Sequence, residues 1–230
     1  MAEKDYRLYI INDISERKSD AMLIEELAAQ AIGITALFHT YIIIGESEIR
    51  RNVYAFLEKQ ERYDLILTGD RGGTMIFPAW ELERFGTKVA RIAYSMHHLI
   101  GDPFKAVSHE VSLLGGRPRI LIIESELGRA GTTKAKLDIL LGTIEKGNKD
   151  ATTHIIIGVG SKKEIAKWSE RDSVKYVAYP VEHQGVRLSE MVEKYLETPA
   201  QHSAEEKRMF VRAHKLIEHN RQMKMTPRRK

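Results

Sequence analysis

The sequence contains no cysteine among its 230 residues. This absence excludes disulfide bridges, thiolate zinc sites, iron–sulfur clusters and cysteine nucleophiles, and it favours the reducing cytoplasm. No apolar run approaches the roughly 18–20 residues that a membrane span needs. Residues 1–6 also lack the basic and then apolar layout of a signal peptide. We therefore expect a cytoplasmic protein that is neither secreted nor embedded in a membrane.

Charge is nearly balanced over most of the chain, and the excess lies at the C-terminal end. The formal net charge is +4. From Thr198 to Lys230 there are nine Lys and Arg against three Glu, a local charge of +6, which leaves −2 for residues 1–197. Any attraction to polyanions is therefore expected to be local to the C-terminal arm.

With 43% hydrophobic and 30% charged residues, the sequence has the composition and length of one large α/β domain, alone or with a helical appendage. Apolar runs alternate with stretches of helical spacing, which is typical of a parallel sheet covered on both faces. The predicted strands are Arg7–Ile11, Leu65–Thr68, Val89–Ala93, Ile120–Ile123, Ile155–Val159 and Val174–Ala178. The predicted helices between them are Ser19–Ala31, Glu48–Glu58 and one after Thr132.

After Pro180 the pattern becomes helical. One helix is predicted over Leu188–Leu196, before the interruption at Thr198-Pro199. A second is predicted to begin at Ser203, because Ser203 and Glu206 have the spacing of a capping box. We expect its apolar stripe to pack on the body of the chain or on a second subunit. The stripe consists of Met209, Phe210, Ala213, Leu216 and Ile217.

The most informative segment is Arg119–Thr133, in which an apolar strand runs into acidic residues and then into a Gly/Thr loop that opens a helix. Such a loop points backbone N–H groups at one spot, with the positive end of the helix dipole behind them, and this suits a phosphate. Carboxylates just before it suit ribose hydroxyls or a magnesium shell. The pattern alone leaves two interpretations open, a phosphate site and a plain strand-to-helix turn.

This segment resembles the phosphoribosyl-pyrophosphate (PRPP) loop of the type I phosphoribosyltransferases: four apolar residues, an acidic pair, a short spacer, Thr/Ser-Gly-x-Thr and a helix. Residues Gly131–Thr133 match the end of that motif. The apolar run aligns the acidic pair with Glu124 and Ser125, whereas the glycine and threonines align it with Ser125 and Glu126. Either the loop holds one extra residue or one acid has been lost.

A second segment resembles the pyrophosphate loop of the same family, where a strand ends in Arg-Gly-Gly and a helix follows. Here the strand is Tyr63–Gly69, the loop is Asp70–Gly73 and the helix lies within Trp80–Gly86. Two glycines let the backbone approach a pyrophosphate closely, and Arg71 adds a charged fork for its oxygens. Arg71 precedes Glu124 by 53 residues, as the family arrangement requires. Without that context, Arg-Gly-Gly also fits an ordinary glycine turn.

The polar stretch Ser95–Gly116 matches the position of a mobile loop that closes over the reaction in this family. In that resemblance Lys105 is the candidate for a basic contact to pyrophosphate, with His97 and His98 behind it. The histidine pair also fits a metal site or a solvated loop. The aromatic residues that fit either base stacking or plain packing are Tyr179, Trp168 and Phe104.

The resemblance implies a parallel-sheet phosphoribosyltransferase-like core at residues 46–182, between an N-terminal extension or hood at 1–45 and C-terminal helices with a basic tail at 183–230. It implies a glycosyltransferase that moves phosphoribose from magnesium PRPP to a nucleobase-type acceptor and releases pyrophosphate, and it implies a homodimer. The implied catalytic residues are Glu124, Glu126 and Lys105. The implied 5′-phosphate site is Gly128, Arg129, Ala130, Gly131, Thr132 and Thr133, and the implied pyrophosphate site is Asp70, Arg71, Gly72 and Gly73. No direct metal ligand is assigned.

A rival interpretation is a catalytically silent protein of the same fold that senses PRPP or a nucleotide and binds nucleic acid through its basic C-terminal arm. The imperfect acidic pair and the charge of +6 favour it. The short tail, with Phe210 as its single aromatic residue, favours a solvated helix face instead. A fainter resemblance, of Gly72-Gly73-Thr74 to the phosphate loop of the molybdopterin-binding fold, leaves the segment Glu124–Thr133 unexplained.

Overall fold

The computed structural model describes residues 7–34, 40–69, 76–92, 103–127, 132–169, 174–181, 186–198 and 202–225. The chain divides into two compact units. Unit 1 is Met1–Glu48 with Val181–Lys230, and unit 2 is Ile49–Pro180. The N-terminal segment and the C-terminal helices, which the sequence pattern treats as separate segments, therefore belong to one unit.

Strands and helices alternate along the described residues. The strands are β1 (Arg7–Asn12), β2 (Thr40–Gly45), β3 (Tyr63–Gly69), β4 (Gly86–Ile92), β5 (Arg119–Leu127), β6 (Thr152–Ser161), β7 (Val174–Val181) and β8 (Val186–Arg187). The helices are α1 (Ala21–Ile34), α2 (Glu46–Leu57), α3 (Ala79–Leu82), α4 (Pro103–Ser112), α5 (Thr132–Gly147), α6 (Lys162–Ser169), α7 (Leu188–Leu196) and α8 (Ala204–Met225). No helix in these ranges has both the length and the apolar character needed to cross a membrane.

Unit 2 is built on a five-stranded sheet in the order β4-β3-β5-β6-β7. The pairs β3–β4, β3–β5 and β5–β6 are all parallel. The central strands are continuous apolar runs because both faces of the sheet are covered: Leu65–Leu67 and Ile120–Ile123 are at most 1% exposed. The predicted fold class, a parallel α/β sheet flanked by helices, is confirmed.

One face of this sheet packs against α4, α5 and α6. The buried residues of that core are Leu65, Leu67, Ile92, Val107, Val111, Ile120, Ile122, Leu137, Leu140, Ile144, Ile155, Ile157 and Trp168. Trp168 is therefore a core residue, and Phe104 packs against the same cluster while partly exposed. The hydroxyl of Tyr179 in β7 accepts a hydrogen bond from Nδ2 of Asn52 at 3.0 Å.

The prediction of a loop over Ser95–Gly116 is wrong for Pro103–Ser112, which forms α4. Proline suits the first turn of a helix because its missing N–H would have no partner there. Phe104, Val107 and Val111 have helical spacing and pack in the core just described, which stabilises the helix despite its polar surroundings.

Unit 1 is built on a parallel three-stranded sheet in the order β2-β1-β8. The predicted apolar face of α8 packs within this unit, where Phe210, Ala213 and Ile217 are buried. The homodimer stays a prediction, because the apolar face of α8 packs against residues of its own chain.

The capping box predicted at the start of α8 is present. The backbone N–H of Ser203 donates to Oε2 of Glu206 at 2.7 Å, and the backbone N–H of Glu206 donates to Oγ of Ser203 at 3.2 Å. Hydrogen bonds from the backbone N–H and the side chain of Ser203 to the carboxyl group lower the pKa of Glu206.

At the amino edge of the unit 2 sheet, His154 of β6 contacts Tyr63 of β3. Nδ1 of His154 lies 3.0 Å from the hydroxyl of Tyr63, and the two rings meet edge to face. The guanidinium of Arg119 lies over the Tyr63 ring, 4.9 Å from its centroid. Burial lowers the pKa of His154, and the positive charges of Lys175 and Arg119 lower it further.

We expect the protein to lose stability as the pH falls below about 6.5, the ordinary pKa of histidine. The folded pKa of His154 is lower than the unfolded one, so below this pH the unfolded chain binds a proton that the folded chain resists. The stabilisation is fully present above pH 6.5 and is lost as the pH falls toward the folded pKa. When the pH is lowered from 7.5 to 5.0, urea titrations should show a smaller loss of unfolding free energy for His154→Phe than for the parent. Equal losses would contradict this assignment.

Candidate functional site

The strand order of unit 2 creates a topological switch point between β3 and β5. From β3 the chain goes to β4 on one side, and it then returns to β5 on the other side, from which β6 and β7 follow. Connections that diverge in this way leave a crevice at the carboxyl ends of the two strands, and ligands bind there in open parallel sheets. We therefore place the candidate site at the ends of β3 and β5.

The two strands are neighbours in the sheet, but β5 extends further than β3 at its carboxyl end. Thr68 of β3 is the register partner of Ile123 of β5. β3 ends one residue later at Gly69, whereas β5 continues in register with β6 as far as Leu127. The residues from Glu124 onward therefore lie where β5 reaches the end of β3 and then extends past it.

Two carboxylates share one face of this extension. Side chains alternate along a strand, so Glu124 and Glu126 lie on one face and Ser125 lies on the other. Both glutamates are half-buried, and Ser125 is buried. The strand geometry thus groups Glu124 with Glu126 rather than either of them with Ser125. Two such side chains can contact neighbouring hydroxyls of one ligand, or a ligand and its cation.

Gly158 of β6 determines how closely β6 approaches this part of β5. The register places Gly158 alongside Ser125. A Cβ atom at Gly158 would lie 2.7 Å from the carbonyl oxygen of Ser125 and 2.8 Å from Cγ2 of Ile49 in α2. Real Cβ atoms essentially never come so close, so any other residue must displace β5 or α2. Nothing in the local sequence pattern singles out this glycine.

The hydroxyl of Thr68 is a second feature that the sequence does not reveal. Thr68 is 1% exposed, and its Oγ1 has no hydrogen-bond partner among the residues that the structure describes. A buried hydroxyl without a hydrogen-bond partner lowers the free energy of unfolding by about 1–3 kcal/mol. As the register partner of Ile123, Thr68 lies on the face of Ser125, opposite the two glutamates. The only sequence signal is a threonine that ends an apolar run immediately before Gly69.

Both predicted loops begin at this crevice, but most of their residues lie outside the described ranges. These are Asp70, Arg71, Gly72 and Gly73 after β3, and Gly128, Arg129, Ala130 and Gly131 after β5. The elements around the second loop are described: β5 ends at Leu127, and Thr132 and Thr133 open α5. The first backbone N–H groups of a helix have no partner within it and carry the positive end of its dipole.

Lys105 lies in the first turn of α4, and its side chain is exposed. The helix follows β4, the strand beside β3. His97 and His98 lie outside the described residues. Within the described ranges there is no group of three or more His, Asp and Glu side chains arranged to hold a metal ion.

No protein-family model and no curated protein matches this chain. Among solved structures, it is similar to the xanthine-guanine-hypoxanthine phosphoribosyltransferase of Helicobacter pylori. The similarity covers 66% of this chain and 92% of that one, with 11% sequence identity and a TM-score of 0.39.

Proposed function

We propose that unit 2 binds PRPP with magnesium at the β3–β5 crevice and transfers its phosphoribosyl group to a nucleobase-type acceptor with release of pyrophosphate. The observation that carries the proposal is the switch point itself. β3 and β5 are neighbours at this point, the Arg-Gly-Gly segment follows the first in the sequence and the Gly-Thr segment follows the second, and Glu124 and Glu126 share one face of β5.

Each part of PRPP has matching chemistry at this edge of the sheet. The segment Gly128–Thr133 would hold the 5′-phosphate through backbone N–H groups at the start of α5. Glu124 and Glu126 would accept hydrogen bonds from the two ribose hydroxyls. The loop Asp70–Gly73 would hold the pyrophosphate, with Lys105 adding a positive charge.

The two glutamates also fit magnesium, which proteins usually hold through one or two carboxylates together with the phosphates of the substrate. When bound, the cation would neutralise charge on the departing pyrophosphate. The residues of the chain would orient the sugar so that a ring nitrogen of the acceptor bonds to the anomeric carbon as the carbon–oxygen bond to pyrophosphate breaks. This reaction needs stabilised charge and correct positions but no covalent nucleophile, so the lack of cysteine is compatible with it.

Isothermal titration with PRPP and magnesium chloride tests the binding step. We expect the parent to bind and Glu124→Gln/Glu126→Gln to lose at least about a hundredfold in affinity, because each hydrogen bond to a charged group contributes roughly 1.5–3 kcal/mol. The control is Glu83→Gln/Glu145→Gln, which removes the same charge from exposed positions and should bind like the parent. A parent that does not bind, or two variants that bind equally, would contradict the proposed site.

A pyrophosphate-release assay with a panel of nucleobases then separates the enzyme from the silent sensor. Release that depends on both PRPP and a base supports phosphoribosyl transfer. Tight PRPP binding without release by any base supports the sensor instead. Because the glutamate variants are measured in the same assay, a loss of turnover can be compared directly with the loss of binding.

A further inference from the structure

The exposed face of α8 carries a row of positive charges. The helix packs in unit 1 through Phe210, Ala213 and Ile217, so the opposite face is open to solvent. The exposed cations on that face are Lys207, Arg208, Arg212 and Lys215. No acidic residue occurs between Glu206 and Glu218. This part of α8 is therefore uniformly positive over more than two turns.

Three of these cations form a surface that we call the α8 stripe: Lys207, Arg208 and Lys215. We leave out Arg212 because its guanidinium lies 3.2 Å from Oδ1 of Asp20, within unit 1. At 1.5 Å per residue the stripe is about 12 Å long. That length corresponds to three or four nucleotides of one strand, at roughly 3.4 Å each.

We propose that the α8 stripe binds the phosphate backbone of nucleic acid. The cations are exposed on one helix, with Lys207 and Arg208 at one end of the stripe and Lys215 two turns later. They belong to the part of the chain with a charge of +6, while the rest carries −2. Neutralising phosphates with Lys and Arg releases condensed counterions, and this supplies most of the affinity of sequence-independent binding. The stripe lies in unit 1, so the proposal does not depend on PRPP binding by unit 2.

The structure favours nucleic acid over a membrane or an acidic protein. A helix that lies on a membrane inserts its apolar face, but the apolar face of α8 is already buried in unit 1. Protein interfaces are centred on aromatic and apolar anchors. Phe210, the one aromatic residue in α8, is buried, and Val211 is the only large apolar side chain exposed within the length of the stripe.

Fluorescence anisotropy of a labelled 20-nucleotide oligouridine tests the proposal with the full chain. Lys207→Gln/Arg208→Gln/Lys215→Gln should bind about a hundredfold more weakly at 0.1 M salt. This value assumes three phosphate contacts and an electrostatic contribution that vanishes at 1 M, so each contact contributes about fivefold. The slope of log affinity against log salt should also decrease in magnitude by about two.

The matched control is Lys59→Gln/Lys149→Gln/Lys163→Gln, which removes the same charge from exposed positions in unit 2. It should bind within threefold of the parent. Val211→Lys adds a cation between Lys207 and Lys215 and should strengthen binding about fivefold. Circular dichroism and PRPP titration should be the same for the parent and the stripe variant, which separates this test from that of the unit 2 site.

Three outcomes would overturn the proposal. The parent could fail to bind oligouridine at 0.05 M salt. The stripe and control variants could lose equal affinity, which would show that net charge alone drives binding. The stripe variant could bind oligouridine like the parent and lose instead its binding to phosphatidylserine vesicles or to polyglutamate. Equal affinity of the parent for oligodeoxythymidine would support contacts to phosphate rather than to ribose.

Discussion

Replacing Asp13 by alanine should lower the free energy of unfolding by about 3–5 kcal/mol, because it removes two hydrogen bonds to a charged group that contribute roughly 1.5–3 kcal/mol each. Asp13 follows β1 and is 2% exposed. Its Oδ1 accepts a hydrogen bond from the backbone N–H of Ser189 at 2.9 Å, and its Oδ2 accepts one from the hydroxyl of the same serine. Oδ2 also lies 3.7 Å from Nη1 of the buried Arg187. The substitution would remove a counter-charge from Arg187 and a cap from the first turn of α7.

Urea unfolding of Asp13→Ala beside the parent measures this effect. The control is Asp150→Ala, at an exposed position, which should change the free energy of unfolding by less than about 0.5 kcal/mol. A double-mutant cycle of Asp13→Ala, Arg187→Met and their combination measures how much of the loss comes from the ion pair, because substitutions of residues in contact are non-additive by about 0.5–3 kcal/mol. If the effects of the two substitutions add within about 0.3–0.5 kcal/mol, the ion pair is not the reason for the loss.

The sequence predicts those elements whose signals are local. The strands of unit 2 contain short apolar runs, such as Leu65–Leu67, Ile120–Ile123 and Ile155–Ile157, and the capping box at Ser203 lies within four residues. The helix α4 is missed because its signal, three apolar residues in a polar stretch, is weak until the sheet provides a surface for them. β8 is missed because two residues form no pattern and because its partner β1 comes from the opposite end of the sequence. β2 is absent from the predicted strands although Tyr41–Ile44 is an apolar run, so its local signal was present in the sequence.

The features of the candidate site also differ in whether a local sequence pattern predicts them. Glu124 and Glu126 stand next to a recognisable loop, so the sequence selects them directly. Their shared face follows only once β5 is seen to continue as a strand past Ile123. The contacts of Asp13 join positions 176 residues apart. Pairings of that separation depend on the tertiary fold, and no local pattern of a single sequence predicts them.

Gly158→Ala should reduce both stability and PRPP affinity. The added Cβ would lie 2.7 Å from the carbonyl oxygen of Ser125, and a backbone atom in a paired strand cannot turn away as a side chain can. Overpacking of this kind costs about 1–3 kcal/mol of unfolding free energy. Relief requires β5 to move at Ser125, and that movement displaces the adjacent Glu124 and Glu126. A displacement of about 1 Å at a reacting site can reduce activity roughly a hundredfold, so we expect at least a tenfold loss of PRPP affinity.

The matched control for this variant is Gly142→Ala in α5, where an added Cβ would meet nothing within 4 Å. Alanine in a helix interior is favoured over glycine by roughly 0.5–1 kcal/mol, so the same chemical change should there raise stability and leave PRPP affinity unchanged. Urea unfolding and isothermal titration of both variants provide the comparison. If Gly158→Ala loses stability but keeps the parent's PRPP affinity, the position of β5 next to Glu124 and Glu126 does not determine how tightly PRPP binds. If the variant keeps both its stability and its PRPP affinity, β5 and α2 adjust to the extra methyl group.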